Sequence, residues 1–345
     1  MSRYGQFLSG TYLFYIQSKK KETIIYVSNR KYYKTLKIIF RDKNIFLTKN
    51  SLLYKFVRYK YKNQFSENFI INYHTNEVIP KFANLEKINV QNINTTYFKK
   101  LLTKINGKKV ILIALKEKSY YENNKNFKVY LQPDFEFDEF DRLIELVKYY
   151  CDKGYFIIRV GSNYVKTNYV HKNFYDYASS KFQNFENDIL IANLCDLVIS
   201  NQTGFDILPN LWFKKSLIHF SIRCYRFILD WPGIYVCPML VYKSSQLLDI
   251  NIQIELESNI WSKESNQNQL YTKYLENGLE LRKRNSNDLI NIINSFIADN
   301  MMYQDDWWSK WHESNDEIYK FLKREIPTHH YIKMVNENYT NNRIH

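Results

Sequence analysis

Residues Cys195–Pro209 read CDLVISNQTGFDILP, an apolar run that breaks into a polar, glycine-containing turn. Leu197, Val198 and Ile199 signal a short buried strand, Ser200-Asn201-Gln202-Thr203-Gly204 a loop, and Phe205–Trp212 the beginning of a helix. A helix starting there would aim unpaired N–H groups, and the positive end of its dipole, at whatever lies in front of it. That favours an anion such as a phosphate. Any plain connection in an α/β domain carries the same pattern, so both readings stand at this point.

On either side the chain repeats the motif. Upstream, Val110–Leu115 (VILIAL) is a buried strand, Asp134–Lys153 a helix with Phe137, Phe140, Leu143, Ile144, Val147 and Tyr150 at helical spacing, and Tyr155–Val160 (YFIIRV) the next strand. Gly154 suits the residue just past the helix end. Strand, helix and strand in this order favour a parallel sheet. Arg159 is the odd residue in its strand, followed by Gly161-Ser162. An arginine at a strand's carboxyl end faces the ligand crevice of an open α/β sheet, or else pairs with a local carboxylate. Phe185–Leu194 is the helix before the focal strand, with Asp188 acting as a cap or first-turn acid. Downstream, Ser216–Phe220 (SLIHF) is a strand, Asp230-Trp231-Pro232-Gly233 a turn, and Leu279–Arg282 a strand between helices over 262–277 and 285–296. Asn285 stands in a capping position before Asp288.

Residues 1–105 alternate weaker strand and helix signals: Thr23–Val27 and Asn44–Leu47 as strands, Arg30–Phe40 as a helix, a further helix from Ser51, and short apolar runs at 69–71 and 88–90. Asn94 is placed to cap a helix over 95–104, and Ile105-Asn106-Gly107 reads as a linker. A chain of 345 residues is long for one core. The division expected is an N-terminal α/β domain over 1–105, a second over 106–325 closed by helices, and a polar tail over 326–345. A Trp-bearing amphipathic segment over 305–324 packs back on the domains or lies on a membrane.

Hydrophobic residues make up 45% and aromatic ones 17%, which suits a globular chain. The formal charge of +14 attracts an anionic partner without naming it: nucleic acid, acidic membrane surface or phosphorylated substrate. Cys151, Cys195, Cys224 and Cys237 show no metal or redox spacing and read as structural thiols. No leader pattern and no run of membrane-spanning length occur, which points to a cytoplasmic protein. Phosphate-loop, dinucleotide, nucleophile-elbow and zinc-helix motifs do not occur. His329-His330 lies in the polar tail and reads as solvent-exposed. The acids Asp134, Glu136, Asp138, Glu139 and Asp141 read as complements to a helix dipole, and no metal is expected.

Four linked pieces, GYFIIRVGS (154–162), FYDYASS (174–180), NDILIANLCDLVIS (187–200) and NQTGFDILP (201–209), resemble in order and spacing a family of bacterial GT-B type glycosyltransferases encountered in surface-polysaccharide gene clusters. Weaker similarity covers RYGQFLSGTYLFYI (3–16), LKEKSYY (115–121) and LELRKRNSNDLINII (279–293). The resemblance implies two Rossmann-like α/β domains facing a cleft, with the nucleotide-sugar donor held by the C-terminal domain and the acceptor by the N-terminal one. Carried over by position, Arg159, Gly161 and Ser162 line the donor cleft, and Ser200, Asn201, Thr203 and Gly204 meet the donor phosphates. Gly5, Gln6, Lys116, Tyr177 and Asp188 fall on cleft positions. Lys116-Glu117 stands where the pattern has Arg-Asp, and Gly5-Gln6 where it has Gly-His; an amide does not titrate, so Gln6 cannot serve as a base. Glu117 is then the named candidate base. No strand precedes the first loop, so the N-terminal domain is expected to be incomplete.

The function expected is a cytoplasmic glycosyltransferase, peripheral at the inner face of the membrane, moving a sugar from a nucleotide-activated donor to a surface-glycan or lipid-linked acceptor. It needs no metal and no other cofactor. The rivals are a non-catalytic nucleotide- or glycan-binding relative and a basic nucleic-acid-binding protein; nucleic acid is not the partner expected.

Overall fold

A computed structural model describes residues 23–26, 30–40, 45–48, 95–118, 138–161, 165–222, 234–248 and 267–298, with isolated positions between 50 and 93. Gly5, Gln6, Ser162, the apolar run at 69–71, the Trp-bearing segment and the polar tail lie outside the described residues.

The centre is a parallel sheet of apolar strands. β3 (Val110–Ala114) pairs on one side with β4 (Phe156–Val160) and on the other with β6 (Leu197–Ser200); β5 (Phe174–Asp176), β7 (Ser216–Ile222) and β8 (Ile234–Pro238) complete it. The order is β5-β4-β3-β6-β7-β8 and every pairing is parallel. Every residue of β3, β4 and β6 is buried, as continuous apolar runs require when helices cover both faces. From β3 the chain moves outward through β4 and β5, then returns to β6 and moves the other way. This is a Rossmann-like doubly wound sheet, reversing between β3 and β6.

Among the described residues there are six α-helices: α1 (Arg30–Ile39), α2 (Thr96–Ile105), α3 (Ile144–Asp152), α4 (Phe185–Leu194), α5 (Gln267–Glu276) and α6 (Ser286–Ala298). α3 buries Leu146, Val147, Tyr150 and Cys151 and packs against α6. α4 is apolar around most of its circumference because it is covered on several sides, by the turn at Leu208–Trp212 and by α1 and α2. Its start is capped by Asn184, whose side chain accepts from Asn187 N at 2.9 Å. Asn285 likewise accepts from Asp288 N at 2.9 Å and opens α6. Gly154 follows α3 at φ +91, the conformation expected of it.

In the N-terminal third, β1 (Thr23–Tyr26) and β2 (Ile45–Thr48) pair in parallel with α1 between them, a βαβ unit. Leu36, Ile39 and Phe40 of this unit, and Leu101 and Ile105 of α2, belong to the same buried cluster as β3. Ile105-Asn106-Gly107, expected as a linker, is a tight helix-to-strand turn with Asn106 at φ 49 and Gly107 at φ 71. Ile88 and Val90 are buried, and Ile88 N donates to Trp212 O at 3.0 Å, but neither is in a strand.

Two local expectations are corrected. The cap of α2 is Thr95, not Asn94: Thr95 Oγ1 accepts from Phe98 N at 3.1 Å and donates to Asn187 Oδ1 at 2.8 Å. Phe205–Trp212 is not a regular helix but a 3₁₀ turn, Gly204–Asp206, followed by a wide turn of π type, Leu208–Trp212. Pro209 lacks the N–H that an α-helical ladder would need there. A second small sheet went unanticipated. β9 (Leu240–Lys243) pairs antiparallel with β10 (Gln246–Leu247) and β11 (Leu279–Arg282), and Val241, Leu279 and Tyr274 of α5 form its core.

Among the described residues, no helix is long and apolar enough to cross a membrane. Thr95→Ala removes both a helix cap and the partner of buried Asn187. It is expected to lower the unfolding free energy by about 1–2 kcal/mol in urea titration.

Candidate functional site

In open α/β sheets, ligands bind beyond the carboxyl ends of the strands where the strand order reverses. Here that place is bounded by Leu115-Lys116-Glu117 after β3 and Asn201–Gly204 after β6. Asn201 closes its floor: its backbone N–H donates to Ala114 O at 3.3 Å, and its Oδ1 accepts from Lys116 N.

Beside the reversal lies a buried charge cluster. Arg159 Nη2 donates to Glu117 Oε1 and Oε2 at 2.7 and 2.6 Å, and Nε donates to Oε1 at 3.1 Å. Nη1 donates to Val165 O at 2.9 Å and to Asp176 Oδ2 at 3.3 Å. The guanidinium stacks on the Phe140 ring at 4.9 Å. Arg159 and Glu117 are each 2% exposed. Sheet register explains the meeting, because Arg159 lies opposite Asp176 in β5 and Ile113 in β3, four residues before Glu117. Burial pushes the Glu117 carboxyl up to about 7, against the pull of Arg159. The arginine fork is thus filled from within, and both oxygens of the candidate base are engaged. Gly161 follows at φ 141, which favours glycine as the chain leaves β4.

The loop after β6 is organised around an anion supplied by the chain itself. Asp206 Oδ2 accepts from Ser200 Oγ at 2.7 Å, Thr203 N at 2.8 Å and His219 Nε2 at 3.0 Å; Oδ1 accepts from Thr203 Oγ1 at 2.8 Å. A carboxylate only accepts, so His219 Nε2 carries a hydrogen. His219 is fully buried, and its Nδ1 has no hydrogen-bond partner among the described residues. Ser200 Oγ also accepts from Gln202 N at 3.0 Å, which sets Gln202 at φ 68. The side chains of Ser200 and Thr203 therefore bind a carboxylate, and of this loop Gly204 is the exposed residue.

A second arginine completes the edge. Arg142 clasps Asp138 one helical turn earlier, donates to Arg284 O, and donates from Nη2 to Ser221 Oγ at 3.0 Å. Ser221 is a bulge in the β7–β8 ladder at φ 54, which aims its hydroxyl at this arginine. Burial pushes the nearby Lys283 ammonium down and Arg142 adds to this, while Asp138 opposes it. Asp138 is thus an ion-pair partner as well as an acid near a helix start.

Tyr177 and Asp188 meet each other: Tyr177 Oη donates to Asp188 Oδ1 at 2.7 Å and accepts from Asn184 N at 3.2 Å, tying the end of β5 to the start of α4. Burial, and then Asp188, push the Tyr177 phenol far up, so it stays neutral. Cys151 and Cys195 are buried free thiols, each pushed up by burial to about 12. Among the described residues no His, Cys, Asp and Glu group has the arrangement of a metal site.

Asp176, Asp206, His219, Arg142 and Ser221 belong to the site without being candidates in the sequence. The signals were present for three of them. Thr203-x-x-Asp206 has capping-box spacing, Asp138 and Arg142 stand four apart, and His219 is the one ionisable residue in an apolar strand. No family model, curated protein or solved structure matches the chain.

Arg159→Met leaves Glu117 buried without its partner and is expected to cost about 3–5 kcal/mol, most of it restored in the Arg159→Met/Glu117→Met double variant. Because the Glu117 carboxyl is raised on folding, its contribution to stability is complete below about 4.5 and lost as pH rises through about 7. Unfolding free energy measured across that window should fall more steeply in the native chain than in Glu117→Gln. Asp206→Asn puts an amide donor where Ser200, Thr203 and His219 all donate; denaturant titration should show a loss of about 2 kcal/mol or more.

Proposed function

We propose that the chain is a glycosyltransferase of GT-B type, acting in the cytoplasm at the inner face of the membrane on a nucleotide-sugar donor and a surface-glycan or lipid-linked acceptor. The observation that carries this reading is the reversal of strand order between β3 and β6 in a six-stranded parallel sheet. Such a reversal opens a crevice at the carboxyl edge, the position where doubly wound sheets take nucleotides. The N-terminal βαβ unit of β1, α1 and β2 would belong to the acceptor domain, joined to the donor domain by the packing of α1 on α4.

In this reading the donor diphosphate lies over Lys116 and the exposed backbone at Gly204. Asp206 holds the loop rigid from beneath, so that its N–H groups need little reorganisation as charge grows on the leaving diphosphate. Lys116 supplies positive charge without a metal. The base that takes the acceptor's proton would come from the N-terminal half, since Glu117 is clasped by Arg159.

One observation favours a second reading, a non-catalytic nucleotide- or glycan-binding relative. The candidate base is enclosed in an ion pair, and the residue at the other expected position is Gln6.

A thermal-shift panel of nucleoside diphosphates and their sugar conjugates separates these readings. A matching donor near saturation should raise the midpoint by several degrees, and Lys116→Ala should shrink that rise while leaving the ligand-free midpoint in place. Sugar transfer to an acceptor extract supports the enzyme. A midpoint rise with neither transfer nor donor hydrolysis leaves the binding relative, and no rise with any ligand removes both.

A further inference from the structure

β5 is the outer strand of the large sheet, and its three residues are all half-exposed. Around it the surface is apolar and basic together. Val170 is 89% exposed, Val165 65% and Phe182 42%. The Lys104 ammonium of α2 lies over the Tyr175 ring at 5.4 Å, and Lys181 lies over Phe182 at 5.7 Å. Tyr97 joins the two, stacking on Phe182 with centroids 4.7 Å apart and lying 6.3 Å from Tyr175. The connection from β4 to β5 forms no helix over residues 165–173; it runs back along this edge and carries Lys166 and Lys172, both exposed.

The acids nearby are fewer than the lysines. Asp176 turns inward to Arg159 and Ser179, Asp188 and Glu186 accept from the hydroxyls of Tyr177 and Thr35, and Asp152, which is exposed, lies 3.5 Å from His171 Nε2. α2 has lysines at 99, 100 and 104 and no acidic residue. The edge therefore presents lysine charge around exposed aliphatic and aromatic side chains.

We propose that this β5 edge, with α2 beside it, docks the protein on an anionic lipid bilayer. Lysines near a negatively charged surface each add to binding, and side chains such as Val165, Val170 and Phe182 gain by entering the boundary between headgroups and acyl chains. Nucleic acid fits less well. Two of the most exposed apolar residues are valines, which give a base nothing to stack on, and this edge offers lysines rather than the arginine forks that read phosphates and bases. The inference rests on the membrane-peripheral part of the proposed function and names the face that makes the contact; it is independent of donor binding, and its test uses no nucleotide.

The test is flotation of the full chain at physiological ionic strength with phosphatidylglycerol-containing vesicles and with pure phosphatidylcholine vesicles. Binding is expected to the first and not to the second. Val170→Asp/Lys172→Glu/Lys181→Glu changes only exposed side chains, so its melting midpoint should match the native chain while its vesicle affinity falls on the order of ten-fold or more. Equal binding by native and variant chains overturns the proposal, as does absence of native binding to anionic vesicles. Displacement of the vesicles by an RNA duplex that binds more tightly also overturns it and gives the edge to nucleic acid.

Discussion

A guanidinium buried under the carboxyl ends of three parallel strands would cost several kcal/mol in desolvation if its hydrogens were left without partners. Arg159 avoids this through Glu117 beyond β3, Asp176 at the end of β5, and the Val165 carbonyl in the connection between β4 and β5. These bonds fix more than a charge. Glu117 cannot leave without stranding the arginine, so the path after β3 is set; Val165 is held the same way, so the path after β4 is set. Phe140 roofs the cluster and places the turn that starts the crossover toward α3. The edge of the sheet has the shape it has because one buried cation has to be answered from the ends of β3 and β5 and from the connection between β4 and β5.

The loop after β6 solves the converse problem. A single 3₁₀ turn has only a small dipole, and Pro209 prevents a long helix from following, so an external anion would find little to hold it by the helix end alone. Asp206 fills that place, and Ser200, Thr203 and His219 converge on it. What the loop can still offer a ligand is the outward backbone around Gly204, held in place by the carboxylate beneath it.

The strands β3, β4 and β6 and the helices α4 and α6 were legible because each is specified locally: a continuous apolar run, a helical repeat, or an asparagine cap. Other features are not local. Glu117 and Arg159 are forty-two positions apart and meet only through sheet register. Asp206 reaches His219 because Ser200 and His219 are neighbours across β6 and β7. In sequence Arg159 and His219 each read as one polar residue in an apolar strand and Glu117 as one charge in a polar run, and Arg159 is equally compatible with a phosphate or a carboxylate. The β9–β10 hairpin was hidden for a different reason. Its two-residue turn is Ser244-Ser245, at φ 49 and 65, where the usual signal is Asn-Gly.

The net charge of +14 takes on a different meaning once these pairings are known. Arg159 and Arg142 at the carboxyl edge of the sheet are each matched by a carboxylate at bonding distance, which reduces the field either projects into solvent. Among the described residues the exposed basic charge is carried mostly by lysines, whose reach is about one Debye length, ~8 Å at physiological salt. Lys116 lies at the crevice, and a longer row follows α2 and the β5 edge. Among the described residues, lysine charge lies both at the strand reversal and along the face beside it. In the proposed reading a small phosphorylated ligand would use the first, and an extended anionic surface would engage the second along its length.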